Sequence, residues 1–404
     1  MELDLSGEQE QLRTSVREVL ERECPTTVVR DLVERGTAPS ALWSRMVELG
    51  WPALALPEDV GGLGLGFVEL AVVIEELGRR ISPGPFLATV TQLAPLVRLA
   101  GTPEQARALL GPVVGEGRTG TVAVTEDGAR WAPDAVATTA QRAGSGWVLR
   151  GRKAQVLDAA TADEVAVVAH VEGAGLGVFV VPGAELPDRC TATGIDLTRP
   201  WGEIGLDGVH VPPERALGEP GTSDSAVAQA LEESTVALAI ETVGVCAAAF
   251  ETTLAYAKVR EQFGVPIGSF QAVKHRLADL HVAIERARAT AYFAALAIAE
   301  DDPRRAVAAS MAKVAAGECQ RLVAQDAVQL LGGIGYTWEH DQHLWVKRAK
   351  SGEALLGGTA YHRQRIADFL GLTPSSRSPS TSTAETQQDQ AEVLGDHRGP
   401  AGSR

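Results

Sequence analysis

A chain of 404 residues with 45% hydrophobic content is long enough for two to three domains, each with a core of its own. Its formal charge of -15 repels phosphate backbones and anionic lipid, which argues against nucleic-acid or membrane-surface binding as the main activity. Cys24, Cys190, Cys246 and Cys319 are scattered without a C-x-x-C pair, a usage that points to free thiols in a cytoplasmic protein and sets zinc aside.

Residues 1–118 read as a helical domain. The amino terminus is charged and lacks the apolar core of a signal peptide. Ser6 with Gln9 has the spacing of a capping box, and Leu12, Val16, Val19 and Leu20 recur near the helical period. A further helix, FVELAVVIEELGRR, ends in Gly and Arg, as helices tend to. Just before it, GGLGLG at Gly61 to Gly66 cannot be written as G-x-G-x-x-G, so it is expected to be a helix-connecting loop and not a dinucleotide fingerprint.

Over residues 119–221 the pattern changes to short β-branched runs, TVAVTE, GWVLRG, EVAVVAHV and LGVFVVPG, bounded by Gly, Pro and Asp. These predict a small β domain, a barrel or a pair of packed sheets. Helix returns over 222–372, with segments expected at roughly 224–262, 269–300, 303–331 and 340–370, a four-helix bundle by number and loop length. The most apolar run, VALAIETVGVCAAAF, contains Glu241 and is too short to span a bilayer. Residues 373–404, rich in Ser, Thr, Gln, Pro and Gly, are expected to be disordered because they carry too little apolar surface to offset ordering entropy.

His340 and His343 lie one helical turn apart but have no clear third ligand, so a hydrogen-bonded helix start is the better reading and no metal is expected. No G-x-S-x-G elbow and no phosphate-binding G-x-x-x-x-G-K-[ST] loop occurs. A more telling feature is the broken helix YAKVREQFGVPIGSFQAVKHRLAD, with Arg260, Gln262 and Phe263 at the break. A later helix ends in QLLGGIGYTWEH, where Gly332 and Gly333 leave backbone bare for close approach by a ligand. A cation and an amide can hold a pyrophosphate and an adenine ribose.

These two stretches, supported by WPALALPEDVGGLGLG, VTEDGA and VHVPPERALG, resemble the acyl-CoA dehydrogenase family over residues 1–370, in the family's order. The resemblance implies a mainly α fold with a central β domain: a helical domain, a β-barrel domain and a carboxyl-terminal bundle that builds a tetramer. It implies FAD as cofactor, with Arg260, Gln262 and Phe263 at its pyrophosphate and adenine portion and Gln329, Gly332 and Gly333 reaching it from a second protomer. Thr125 and Glu126 match the family's Thr-Glu beside the flavin ring and the acyl thioester. Expected partners are an acyl-CoA substrate, an electron-transfer flavoprotein or similar acceptor, and either identical subunits or a homologous one in a tetramer.

The chain departs from the family in three places. The Thr-Glu is followed by DGARWAPD, with Arg130 and Trp131 where relatives carry Pro-Gly-Ala-Gly-Ser-Asp. Gln155 and Leu157 replace the Trp-x-Thr that packs on and hydrogen-bonds the flavin. Most relatives carry a catalytic Glu before the Gly-Thr of the last helix, where this chain has Leu356 or Gly357. Others carry it on the first bundle helix, at the position of Ser234, which becomes a candidate substrate contact.

Two nearby carboxylates are candidate replacements. Glu241 returns to the face of Ser234 about 10.5 Å along the helix, and Glu233 is level with Ser234 but turned by about 100°. Glu241 is the expected base because a carboxylate in an apolar run is costly to bury without a role. The expected activity is removal of the proton α to a thioester with hydride transfer to FAD, giving a 2,3-enoyl-CoA in fatty acid or steroid catabolism. The alternatives are a non-catalytic, base-lacking subunit of a heteromeric dehydrogenase and a flavin oxidase or hydroxylase of the same fold.

Overall fold

The computed structural model of the chain describes residues 4–126, 135–192 and 194–372. The expectations for Arg130, Trp131 and the tail from Thr373 lie outside the described residues.

The first helices are α1 (Gly7–Glu23), α2 (Thr26–Arg35), α3 (Ser40–Glu48) and α4 (Phe67–Arg79). α1 begins where the capping box places it: the Ser6 hydroxyl accepts from the Gln9 N–H at 3.2 Å and the Gln9 side chain accepts from the Ser6 N–H at 2.9 Å. GGLGLG is a connecting loop before α4, and the WPA preceding it forms a 3-10 turn, not a strand. α5 (Phe86–Ala88) passes through a π turn (Thr89–Leu93) into α6 (Ala94–Ala100), and α7 (Pro103–Glu116) carries a second capping box at Thr102 and Gln105.

Among its described residues the β domain has nine strands: β1 (Gly120–Ala123), β2 (Thr139–Ala143), β3 (Gly146–Arg150), β4 (Arg152–Leu157), β5 (Glu164–Val171), β6 (Leu176–Pro182), β7 (Asp188–Ala192), β8 (Trp201–Gly205) and β9 (Val209–Val211). One sheet runs β1-β5-β2-β3-β9 with β6 added on β5, and the other runs β4-β8-β7. β5 and β6 read as nearly unbroken apolar runs because both their faces are covered. β4 breaks register with β8 between Lys153 and Val156, and Gln155 sits there at φ 53°, a bulge that redirects its side chain.

The third part is α8 (Asp224–Val259), the hairpin β10 (Glu261–Gln262) and β11 (Val265–Pro266), then α9 (Gln271–Ala299), α10 (Arg305–Leu331), α11 (Gln342–Ala354) and α12 (Thr359–Phe369). α8 is long and apolar enough to cross a membrane by length and composition, and most of its apolar stretch is buried among the other helices. It approaches α4 unusually closely. A Cβ on Gly78 would lie 2.2 Å from the Glu241 carbonyl oxygen and one on Gly244 would lie 2.1 Å from that of Glu75, so only glycine serves at both crossings.

Two helix expectations are corrected. The helix expected to reach about 262 stops at Val259, because Arg260 turns to φ -73°, ψ 120° and the chain enters the hairpin. The helix expected over 340–370 is split at 355–358, where Leu356 and Gly357 take φ 56° and 87°.

Candidate functional site

A cavity opens where the end of β1, the bulge of β4, α6, α8 and the 355–356 turn meet. Thr125 is buried on its wall, and its hydroxyl has no hydrogen-bond partner among the described residues. A buried polar group without a partner is costly, so this hydroxyl suits a ligand that supplies one. Gln155 and Leu157 share the wall, as do Ser234, Leu355 and Leu356. The Ser234 hydroxyl is shared between the carbonyls of Thr91 and Ala230, each at 2.7 Å. Leu355 and Leu356 pack with Ala88, Leu157 and Leu238 into one apolar cluster. No carboxylate is among the described residues that line this cavity.

The three carboxylates singled out from the sequence all have other commitments. Glu126 does not line the cavity: Lys153 Nζ donates to it at 2.7 Å, and the N–H groups of Ala137 and Thr138 donate at 2.8 Å each. Burial works to raise its pKa, but the hydrogen bonds from Lys153 and Thr138 outweigh it and hold the carboxyl below the usual range. Burial pulls the Lys153 ammonium down to about 8. Glu126 thus has its oxygens engaged by Lys153 and two backbone N–H groups and is absent from the cavity lining.

Glu241 is likewise in another place. It lies in a buried ionic joint, where Oε1 accepts from Arg199 and, at 2.9 Å, from Arg348. Arg348 also donates to Asp196 at 2.6 Å and to Thr198 Oγ1 at 2.5 Å. Asp196 is held below its ordinary pKa despite burial by the two guanidiniums, while burial pushes the nearby Asp158 up to about 7. A carboxylate clasped by two guanidiniums and absent from this cavity wall is poorly placed to take a substrate proton. The spacing argument leaves out that the α4 crossing and the loop at 196–199 close over that turn.

Glu233, the alternative, turns away to pair with Arg98 at 2.6 Å, as its rotation from Ser234 implies. Glu232 was not singled out from the sequence, although the acidic doublet in an apolar helix is a signal. It lies 3.2 Å from Arg305, and burial raises its pKa. It shares a second small cavity with Ser310 and His362, and Leu231 and Leu356 stand between that space and Thr125.

The clamp residues are arranged in the opposite way. Arg260 is exposed at the carboxyl end of α8 and makes no ion pair among the described residues. The Gln262 side-chain amide donates to the neighbouring Glu261 carbonyl, at 2.8 Å. Phe263 is 93% exposed at φ 55°, its ring edge-on to Phe270. Gln329 is exposed near the end of α10. After it Gly332 takes φ 66°, and a Cβ at Gly332 or Gly333 would point into open space. His340 accepts from the Gln342 N–H and His343 stacks on Trp338. Free donors, bare backbone and an orphaned buried hydroxyl are what a large anionic cofactor with a flat ring requires, and these residues fit FAD.

Comparison with known proteins matches residues 6–116 to the amino-terminal domain of acyl-CoA dehydrogenases and residues 225–371 to their carboxyl-terminal domain. The chain belongs to the acyl-CoA dehydrogenase family. It is 30% identical to the mitochondrial short-chain specific acyl-CoA dehydrogenase of Bos taurus, with 91% of each chain covered. Butyryl-CoA dehydrogenase from Megasphaera elsdenii superposes with a TM-score of 0.84 at 25% identity, covering 92% of this chain and 100% of that one. A chain of the ChsE4-ChsE5 complex from Mycobacterium tuberculosis superposes with a TM-score of 0.84 at 29% identity, covering 93% and 100%. The protein is thus an acyl-CoA dehydrogenase-like flavoenzyme with the fold expected from its sequence. Members of the family use FAD and bind acyl-CoA and electron-transferring flavoprotein.

Proposed function

We propose that this chain is the base-lacking, FAD-clamping subunit of a heteromeric acyl-CoA dehydrogenase, and that a homologous partner supplies the carboxylate for α,β-dehydrogenation. One observation carries the reading: the cavity beside Thr125 is closed by Leu355 and Leu356 where a base would stand, and no described carboxylate lines it. The ChsE4-ChsE5 complex, named for two different chains, supports it as a precedent for assembly in the same fold.

In this reading Arg260 holds a phosphate, Gln262 and Phe263 hold the adenosine end, and the exposed Gln329, Gly332 and Gly333 serve the equivalent site of the partner. FAD, when bound, supplies the chemistry of accepting a hydride from the carbon β to a thioester carbonyl. Thr125 offers a hydroxyl to the flavin-facing side of the cavity, and the leucine wall keeps water from it. The Ser234 hydroxyl, tied to backbone carbonyls, stabilises the contact between α8 and the π turn at Thr89–Leu93 and moves no proton. The partners this activity would require are an acyl-CoA and an electron-transfer flavoprotein or a similar acceptor.

The test is to produce the chain alone and together with homologous candidate partners, and to record bound flavin and acyl-CoA-dependent bleaching. A colourless or unreactive lone protein and a yellow, active complex are expected. Full bleaching by the lone chain would overturn the reading. In that event Glu241→Gln and Glu232→Gln identify the base, since each keeps shape while removing the proton acceptor. In an active complex, Glu241→Gln is expected to leave the rate of flavin reduction unchanged.

A further inference from the structure

Lys153 is the only residue of the β4 bulge region that is charged and yet wholly buried, at 0% exposure. Its Nζ donates to the Val124 carbonyl at 3.0 Å and to Glu126 at 2.7 Å. Between those two partners lies Thr125, whose own carbonyl accepts from the Ala154 N–H at 2.8 Å. The residue before Thr125, the residue after it and its main chain are therefore all held from β4. The Thr125 hydroxyl is left without a partner and lies on the cavity wall, where Ala154 and Gln155 also lie and Lys153 does not.

Stability alone does not account for this arrangement. A buried ion pair is commonly matched or exceeded in stability by apolar residues of similar volume, and a methionine would fill the same space. What an apolar residue could not do is fix the Val124 carbonyl and the Glu126 carboxylate at the same time. We propose that Lys153 is a positioning residue for the cofactor site: it ties the end of β1 to β4 and thereby presents the Thr125 hydroxyl to the cavity. This rests on the reading of the cavity as part of the FAD site.

Glu126 is the charged group that faces Lys153. Arg152, its neighbour on β4, points to the other side and pairs with Glu203 and Asp188. With the Lys153 ammonium pulled down to about 8 by burial, the tie weakens as pH rises through that value, because a neutral amine no longer balances the Glu126 charge.

The experiment measures FAD affinity by flavin fluorescence, and melting of the flavin-free protein, for Lys153→Met, Thr125→Val and the double variant, each in the assembly that carries flavin. Each single change is expected to weaken FAD binding about tenfold, the scale of one hydrogen bond to a ligand. The double variant is expected to be no weaker than Thr125→Val, because Lys153 acts through that hydroxyl. Wild-type affinity is expected to decline through pH 8 and the Lys153→Met variant to show no such decline. Should Lys153→Met not fold, Glu126→Gln keeps the shape and removes the charge, and a loss of FAD affinity absent in the Thr125→Val background is expected. Additive losses, or a Lys153→Met protein with full affinity beside a weakened Thr125→Val, would overturn the role of Lys153 alone. Full affinity in Thr125→Val would show that the cofactor does not meet this hydroxyl, and both readings would fall.

Discussion

Arg348 and Arg260 carry the same guanidinium into opposite surroundings. Arg348 is fully buried and meets Asp196, Glu241 and the oxygens of Thr198. Arg260 stands exposed at a helix end with no ion pair among the described residues. The first, on α11, has its donors matched by groups drawn from α8, the loop at 196–199 and the Ile81–Ser82 backbone after α4, so it fixes parts of one chain to one another. The second has its donors free beside an exposed aromatic, and a free donor set contributes nothing until something else arrives. Of these two arginines, the saturated one fixes a joint and the unsaturated one is open to a ligand.

Substitution separates the two. Arg348→Met would leave Asp196 and Glu241 buried with Arg199 as their remaining cation. Breaking a buried network in this way costs about 3–5 kcal/mol, so a large drop in the denaturant midpoint is expected, with or without flavin. A midpoint near wild type would mean the joint is dispensable. Arg260→Ala should do the reverse: melting of the flavin-free protein unchanged, and FAD affinity lower by about 1.5–3 kcal/mol, the worth of a charge-assisted contact. A variant that keeps full flavin occupancy would remove Arg260 from the clamp.

The joint can be probed more gently through pH. Asp158 is raised from 3.8 to about 7 by burial, against the pull of Arg199 and Arg348. A raised carboxyl binds its proton more readily in the native than in the unfolded state. Its contribution therefore lowers stability as pH climbs from about 4 to about 7 and stays unfavourable above that. Asp158→Asn keeps a residue tolerant of the φ of 50° found there. It should raise the melting temperature at pH 8 and leave it unchanged near pH 4; equal shifts at both would show that charge is not the cause.

The same contrast explains what could be read from the sequence. Signals confined to a few neighbouring residues were legible. The Ser6–Gln9 box starts a helix, the β-branched runs form strands, and Gly-Val-Pro-Ile-Gly turns the chain beside Arg260. The fold class and the family followed from such signals. The joint was not legible, because Arg199 lies in the loop before β8 and meets Glu241 on α8 only once the β domain packs on the helices, and no local pattern encodes which arginine lies across that contact. The Lys153–Glu126 pair was hidden for the same reason: both residues sit in motifs that suggest a ligand, and only the packing of β1 on β4 shows that they satisfy each other. Leu356 or Gly357 stood where most relatives carry the base, and the structure adds that Leu355 and Leu356 form a wall.

The π turn at Thr89–Leu93 joins Phe86–Ala88 to Ala94–Ala100 in one continuous helical stretch. Such a turn accommodates an extra residue, because its i→i+5 bonds take up what the i→i+4 bonds of an α-helix would leave over. Losing a single residue there would return the turn to α-helix with the flanking segments still in register, and Leu96 would keep its place on the cavity wall. A further insertion has no such outlet: each residue of an α-helix advances the direction of its side chains by about 100°, so Ala94–Ala100 would rotate and Arg98 would swing away from Glu233. Surface loops change length freely over evolutionary time; in this helix a relative with one residue fewer should have a plain α-helical turn and the same cavity lining.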